Sequence, residues 1–290
     1  MIRLIDTHQH LWGIEAPYIK PHWVDGLEIY NQNYRYEEYA KSNDEQVQSA
    51  IYMEVAVNKD LRQSEIDFID TLIKDPNTIT QAMVVADTPG SEGFRDRILK
   101  HKENPNIKGI RQILQEEDMP RGTCNGERFI EDLKLLGDHH LLYDLCIRTE
   151  EILDSKVCVE SCPQTTFVLD HCGNMHPNDI NSYKENVARG EQWKSDMEKL
   201  GKLPNLICKL SGILVRASEN WSDDDLKPAI NHCIDCFGTD KVVFGGDWPI
   251  FVERGTLSDW AKSFREIIAD RSISDQHKIC HENAERIYSL

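Results

Sequence analysis

Three stretches put the residue types of hydrolytic chemistry at the ends of apolar segments. The first is Asp6-Thr7-His8-Gln9-His10. Side chains two apart on a strand share a face, so His8 and His10 should aim together, with Asp6 one step deeper. Two imidazoles on one face make half of a divalent-metal site, or a clamp for water and substrate. The second stretch, Phe167-Val168-Leu169-Asp170-His171-Cys172-Gly173, supplies a third imidazole, His171. The third, Val242-Val243-Phe244-Gly245-Gly246-Asp247-Trp248-Pro249, runs through two glycines into Asp247, the expected general base or metal-bridging carboxylate. Each stretch also has a bland reading: paired histidines in an aromatic turn, a surface histidine, a turn aspartate before proline. Their common position at strand ends makes them specific.

Charged residues also interrupt apolar strands. Arg111 is the cation best placed to hold substrate or a nascent carboxylate, against the alternative of a salt-bridged barrel residue. Glu54 lies in Ile51-Tyr52-Met53-Glu54-Val55, where a carboxylate is costly unless paired or metal-bound. Lys209 and Asp144 interrupt strands in the same way, as substrate contacts or as an internal ion pair. Trp248 beside Asp247 is a further candidate to line a pocket, and His22 and Trp23, in an aromatic-rich loop, either line it or stand exposed at the surface, the reading favoured for them. Arg148, Arg216 and Arg254 fall near strand ends.

The elements that must position these residues have a regular rhythm. Eight short β-rich segments recur, at 2–6, 50–57, 79–86, 107–113, 141–147, 165–170, 205–210 and 241–246. Between them lie amphipathic stretches at 61–74, 127–136, 183–200, 224–237 and 257–269. Alternation of strand and helix implies parallel strands covered by helices. Eight units in 290 residues predict an α/β fold of the (β/α)8 TIM-barrel type, in one domain over 1–290. The glycine fingerprint of a dinucleotide-binding sheet does not follow the first segment. Residues 11–34 read as a long loop on the catalytic side. Cys233-Ile234-Asp235-Cys236 imitates a metal or redox motif but lies in a helical stretch, and the neighbouring thiols Cys158 and Cys162 read as packing.

At this point the chain resembles the amidohydrolase superfamily, and within it the amidohydrolase-related proteins of the sugar-lactonase and pyrone-dicarboxylate lactonase branch. The resemblance runs nearly end to end through the three stretches above. It includes Lys108-Gly109-Ile110-Arg111, Leu145-Cys146-Ile147, Cys208-Lys209-Leu210-Ser211-Gly212 and Asn283-Ala284-Glu285-Arg286-Ile287-Tyr288. It implies a barrel of the metal-dependent-hydrolase type that opens a lactone with water, in carbohydrate metabolism. His8, His10, His171 and Asp247 match the family's catalytic positions. With Glu54 they would hold at most one divalent ion, zinc foremost; some relatives work without a tightly held metal. The expected substrate is a small sugar-acid lactone. The alternatives are a pyrone dicarboxylate lactone, a one-metal decarboxylation, a phosphoesterase barrel and a barrel that binds a sugar acid without turnover.

Composition narrows the partners. The net charge of −17 disfavours nucleic acid and anionic lipid. No apolar run approaches the ~18 residues of a membrane span. Nine cysteines without a clustered, even framework fit reduced thiols, hence a cytoplasmic location. The expected partner is a small-molecule lactone, with a homo-oligomer left open.

Overall fold

The computed structural model describes residues 2–15 and 18–290, so the long loop expected over 11–34 is described except at 16 and 17. Eight strands form one parallel sheet in the order β1 to β8. They are β1 (Ile5–Gln9), β2 (Ser49–Met53), β3 (Thr80–Ala86) and β4 (Ile107–Ile113), followed by β5 (Leu142–Cys146), β6 (Phe167–Leu169), β7 (Leu206–Leu210) and β8 (Val242–Phe244). The ring closes between β8 and β1. There Thr7 Oγ1 donates to the Phe244 carbonyl at 2.7 Å, and the Asp247 and His10 amides donate to the carbonyls of His8 and Trp248 at 2.8 and 3.0 Å. The fold is a (β/α)8 barrel.

Helices cover the outside: α1 (Tyr36–Asn43), α2 (Arg62–Lys74), α3 (Phe94–His101), α4 (Glu127–Asp138) and α5 (Lys156–Ser161). After the short turn α6 (His171–Asn174) come α7 (Val187–Leu200), α8 (Asp223–Phe237), α9 (Leu257–Ile267), α10 (Ile273–His277) and α11 (Asn283–Tyr288). Strands buried on both faces read as apolar runs, and here they separate two kinds of core. The outer layer packs wall against helices, as with Leu206, Cys208, Ala229 and Ile230. The barrel interior holds Ile5, Val168, Ile207 and Val243 beside Ile51, Met53, Ala82, Val84 and Leu142. Tyr288 and Ala284 of α11 pack into these interior clusters and plug the barrel.

Side chains alternate along a strand, so the residues two beyond Gly109, Leu142 and Ile207 also point inward. These are Arg111, Asp144 and Lys209, each at most 3% exposed. A charged layer therefore lies above the apolar one, under the barrel mouth. The first strand departs from expectation in two ways. It spans Ile5–Gln9 rather than 2–6, and its pairing with β2 shifts register between Asp6 and Gln9. Such an irregularity breaks the two-residue alternation. Asp6 accordingly does not stand beneath the histidines. Its carboxylate accepts from the Tyr39 hydroxyl of α1 and from the amides of Gly246 and His8.

Candidate active site

The mouth of the barrel holds a cavity of about 250 Å³, lined by His10, Trp12, Trp23, Arg111, Cys146, His171, Asn174, Arg216 and Asp247, among others. That is slightly below the range of about 300–1,000 Å³ usual for small-molecule sites, so it suits a small substrate.

Asp247 is one of its lining residues. The residue is in the left-handed region (φ 63°), immediately after Gly245 and Gly246. A Cβ on Gly246 would lie 2.5 Å from an Asp6 oxygen, so the close approach of this loop to β1 requires glycine there. Asp247 Oδ1 lies 3.5 Å from His10 Nε2 and 3.7 Å from His8 Nε2, and Oδ2 lies 3.8 Å from His171 Nδ1. Three imidazoles from β1 and the end of β6 thus surround one carboxylate from the end of β8.

His171 is delivered by an unusual turn. His171, Cys172, Gly173 and Asn174 all have positive φ, between 53° and 69°. Each non-glycine residue in that region costs roughly 1–2 kcal/mol, and such strain concentrates at functional sites. Gly212 makes room for the ring: a Cβ there would lie 2.4 Å from His171 Nδ1. The Ser211 hydroxyl fixes the same nitrogen at 3.0 Å.

Hydrogen bonds assign the protons. His10 Nδ1 donates to the Met53 carbonyl at 2.9 Å, because a carbonyl can only accept. In the neutral ring the Nε2 lone pair then faces Asp247. Two acceptors facing each other are satisfied by a cation or an O–H between them. With the ring nitrogens of His8 and His171 also converging on Asp247, the donor set fits one divalent ion. Arg111 Nη1 donates to His8 Nε2 at 3.1 Å, so His8 offers that lone pair to an ion only when Arg111 turns aside. Burial, together with the nearby Lys209 charge, holds the His8 imidazole well below its ordinary pKa, despite Asp170. Burial likewise lowers His171. Both rings are neutral near pH 7. Burial pushes the Cys146 thiol up, which removes it as a thiolate nucleophile.

Beneath the cavity the charged layer is internally paired. Arg111 Nε donates to Glu54 Oε1 at 2.6 Å and Nη2 to the Glu54 carbonyl at 2.7 Å. The Ala56 amide takes the other Glu54 oxygen, which keeps Glu54 away from the imidazole set. Lys209 pairs with Asp144 and, at 3.0 Å, with Asp170. Burial pushes the Asp144 carboxyl up to about 7, against the pull of Lys209. Burial also works against ionised Asp170, but Lys209 and His8 outweigh it and hold that carboxyl low.

Sequence reasoning and geometry diverge for several residues. Lys209 and Asp144 are fully buried and absent from the cavity lining, so the structure makes them an internal ion pair and not substrate contacts. Trp248 packs edge-on against Tyr34 and Tyr39, behind the wall. His22 turns outward onto the Ala56 carbonyl, while its neighbour Trp23 lines the cavity. Asp170, Asn174 and Ser211 were missed as site residues. The Asp170-His171 pairing was the available signal for the first; the other two depend on a turn that no periodicity reveals.

Comparison with known proteins agrees with this architecture. The family model described as Amidohydrolase matches residues 5–290. An L-fucono-1,5-lactonase of Burkholderia multivorans is 22% identical, over 99% of this chain and 96% of the relative. A crystal structure of a Burkholderia multivorans amidohydrolase with bound HEPES superposes with a TM-score of 0.86 at 21% identity, covering 99% of both chains. A second crystal form, with zinc bound, gives 0.84 at 22% identity and the same coverage. A probable 2-pyrone-4,6-dicarboxylic acid hydrolase from Acinetobacter baumannii, with citric acid bound, gives 0.73 at 16% identity over 99% of this chain and 100% of that one. With the barrel, the strand-end histidines and a family match over all but the first four residues, the chain belongs to the amidohydrolase family.

Proposed function

We propose that this protein hydrolyses a small sugar-acid lactone by attack of water on the ring carbonyl. The observation that carries the reading is a single carboxylate, Asp247, set among three imidazoles in a small cavity, with the Arg111 guanidinium behind His8. The likeness to L-fucono-1,5-lactonase supports the choice of substrate class.

Asp247 accepts a proton as the water oxygen bonds to the carbonyl carbon. The negative charge that develops on the carbonyl oxygen is stabilised by the Arg111 guanidinium, which lines the cavity and whose charge is permanent in this buried setting. Collapse breaks the ring C–O bond. The proton held by Asp247 passes to the departing oxygen, leaving a hydroxy acid. His10, His171 and Asp247, with His8 as a fourth donor, are the residues that would hold a divalent ion, zinc foremost. Such an ion would supply Lewis-acid polarisation of the carbonyl.

A panel of aldonolactones assayed by proton release, with and without chelator, tests the reading. Asp247→Asn should lower turnover at least ~100-fold while substrate still binds; unchanged turnover removes the general-base role. Release of carbon dioxide from an aromatic acid, abolished by chelator, would favour the decarboxylase alternative.

One observation favours a substrate carrying a second acid group. Arg216 lines the cavity, yet its contacts are His176 Nε2 at 3.3 Å and Asn174 Oδ1 at 3.5 Å, with no carboxylate partner among the described residues. Burial lowers its pKa, and a ligand carboxylate would satisfy it. Arg216→Met should raise KM for acidic lactones and leave neutral ones little changed.

A further inference from the structure

Behind His171, on the outer face of the barrel wall, three thiols meet. Cys172 follows His171 in the left-handed turn, Cys208 points outward from β7, and Cys233 comes from α8. Their sulfur atoms all lie within 4.8 Å of one another, and all three residues are fully buried. The motif visible in sequence, Cys233 with Cys236, is not the one that forms in space. The Cys172 thiol donates to the Lys209 carbonyl at 3.8 Å, Trp193 Nε1 holds the Cys172 carbonyl at 2.8 Å, and the turn keeps Cys172 at φ 53°. Buried free cysteines commonly pack as small apolar groups. Two packed thiols need no third, and neither needs a residue held in a strained backbone.

Three sulfurs around one point suit a soft, thiophilic centre. Charge then selects among such centres. Three thiolates around a monovalent ion leave −2, and around a divalent ion −1. Around a trivalent centre they leave zero. The surroundings are apolar core, where an uncompensated charge is very costly. Lys209, next to Cys208 in sequence, points the other way and is committed to Asp144 and Asp170. Neutrality therefore favours a trivalent centre that arrives uncharged.

We propose that Cys172, Cys208 and Cys233 form a binding site for trivalent arsenic, taken up as arsenous acid. Three As–S bonds form and three As–O bonds break. Each thiol proton leaves on a hydroxide as water, so one arsenous acid and three thiols give one uncharged tris-thiolate and three waters. Arsenic stays trivalent, and no oxidant or reductant is needed. The site is joined to His171 twice: Cys172 is the next residue in the turn, and Ser211, three residues beyond Cys208, holds His171 Nδ1 with its hydroxyl. Occupation should therefore displace His171 and suppress turnover. The binding itself does not depend on the lactonase reading.

The test is native mass spectrometry of the reduced protein after incubation with arsenite. One arsenic replacing three hydrogens is expected. It should be lost in Cys233→Ala and kept in Cys158→Ala, whose thiol belongs to a separate group with Cys124 and Cys162. Uptake that survives Cys233→Ala, or that disappears in Cys158→Ala, overturns the assignment. X-ray absorption at the arsenic edge on the wild-type protein guards against a variant that fails to fold. Three sulfur neighbours and no oxygen support the site; a retained oxygen overturns it. Stoichiometric cadmium uptake by the three thiols with no arsenic uptake also overturns it.

Discussion

His8 meets a cation at each ring nitrogen: Arg111 at 3.1 Å on Nε2 and Lys209 at 3.3 Å on Nδ1. Such a ring cannot take up a proton cheaply, in keeping with the proposed assignment of that step to the carboxylate of Asp247. Arg111 in turn depends on Glu54. Arg111→Ala strands a buried carboxylate and should lower stability by about 3–5 kcal/mol. The double variant Arg111→Met with Glu54→Leu should recover much of that loss in urea denaturation, although it will not turn over substrate. At Gly212 the added Cβ would press on the His171 ring, so Gly212→Ala should cut kcat more than KM. Away from the site, burial and the nearby Glu54 charge push the Glu65 carboxyl up to about 7. Between about 4.5 and 7 the folded protein keeps that proton and the unfolded chain has released it, so stability falls as pH rises. Glu65→Gln retains an oxygen for the Tyr52 hydroxyl and the Val55 amide. It should raise Tm at pH 8 and change it little at pH 4.5.

At the scale of elements, apolar rhythm located what it is able to locate. The segments expected at 79–86, 107–113 and 205–210 became strands within a residue of those limits, because a strand buried on both faces leaves a run of apolar residues. Helices α2, α4 and α8 were readable for a similar reason: one apolar face. Helices α1 and α3 were not. Their eight-residue sequences, YEEYAKSN and FRDRILKH, bury only Tyr39 and Asn43, and Phe94 and Ile98. Too few apolar positions repeat to mark a period. Caps fix ends that periodicity blurs. The expected stretch 257–269 begins where α9 begins, and there the Thr256 hydroxyl accepts from the Asp259 amide at 3.1 Å while the Asp259 carboxylate accepts from the Thr256 amide. Thr256→Ala should destabilise by about 1 kcal/mol, read as a lower Tm with unchanged kcat.

Over the whole molecule, the proposed catalytic constellation was legible because each member lies at or near a strand end, and strand ends in a barrel converge. What lies between strands was not. Gly173 and Asn174 favour a left-handed conformation, but the full turn at 171–174 and the register slip near Asp6 pack against Gly212 and Tyr39, which are distant in the chain. The charged layer under the cavity was half visible: Arg111, Asp144 and Lys209 stood out as misfits, but their partners appear only once the strands are side by side. The plug on the opposite end follows the same logic. Tyr288 is 1% exposed against Ile51, Met53 and Val84, and Tyr288→Ala should cost about 3–5 kcal/mol, measured by chemical denaturation.

The junction of β8 with β1 also has a kinetic meaning. It joins backbone more than 230 positions apart, and that same junction sets Asp247 against His8 and His10. Contacts between such remote positions are slow to form. Recovery of activity during refolding should therefore lag behind recovery of helical signal, making enzymatic turnover a direct clock for the last step of ring assembly.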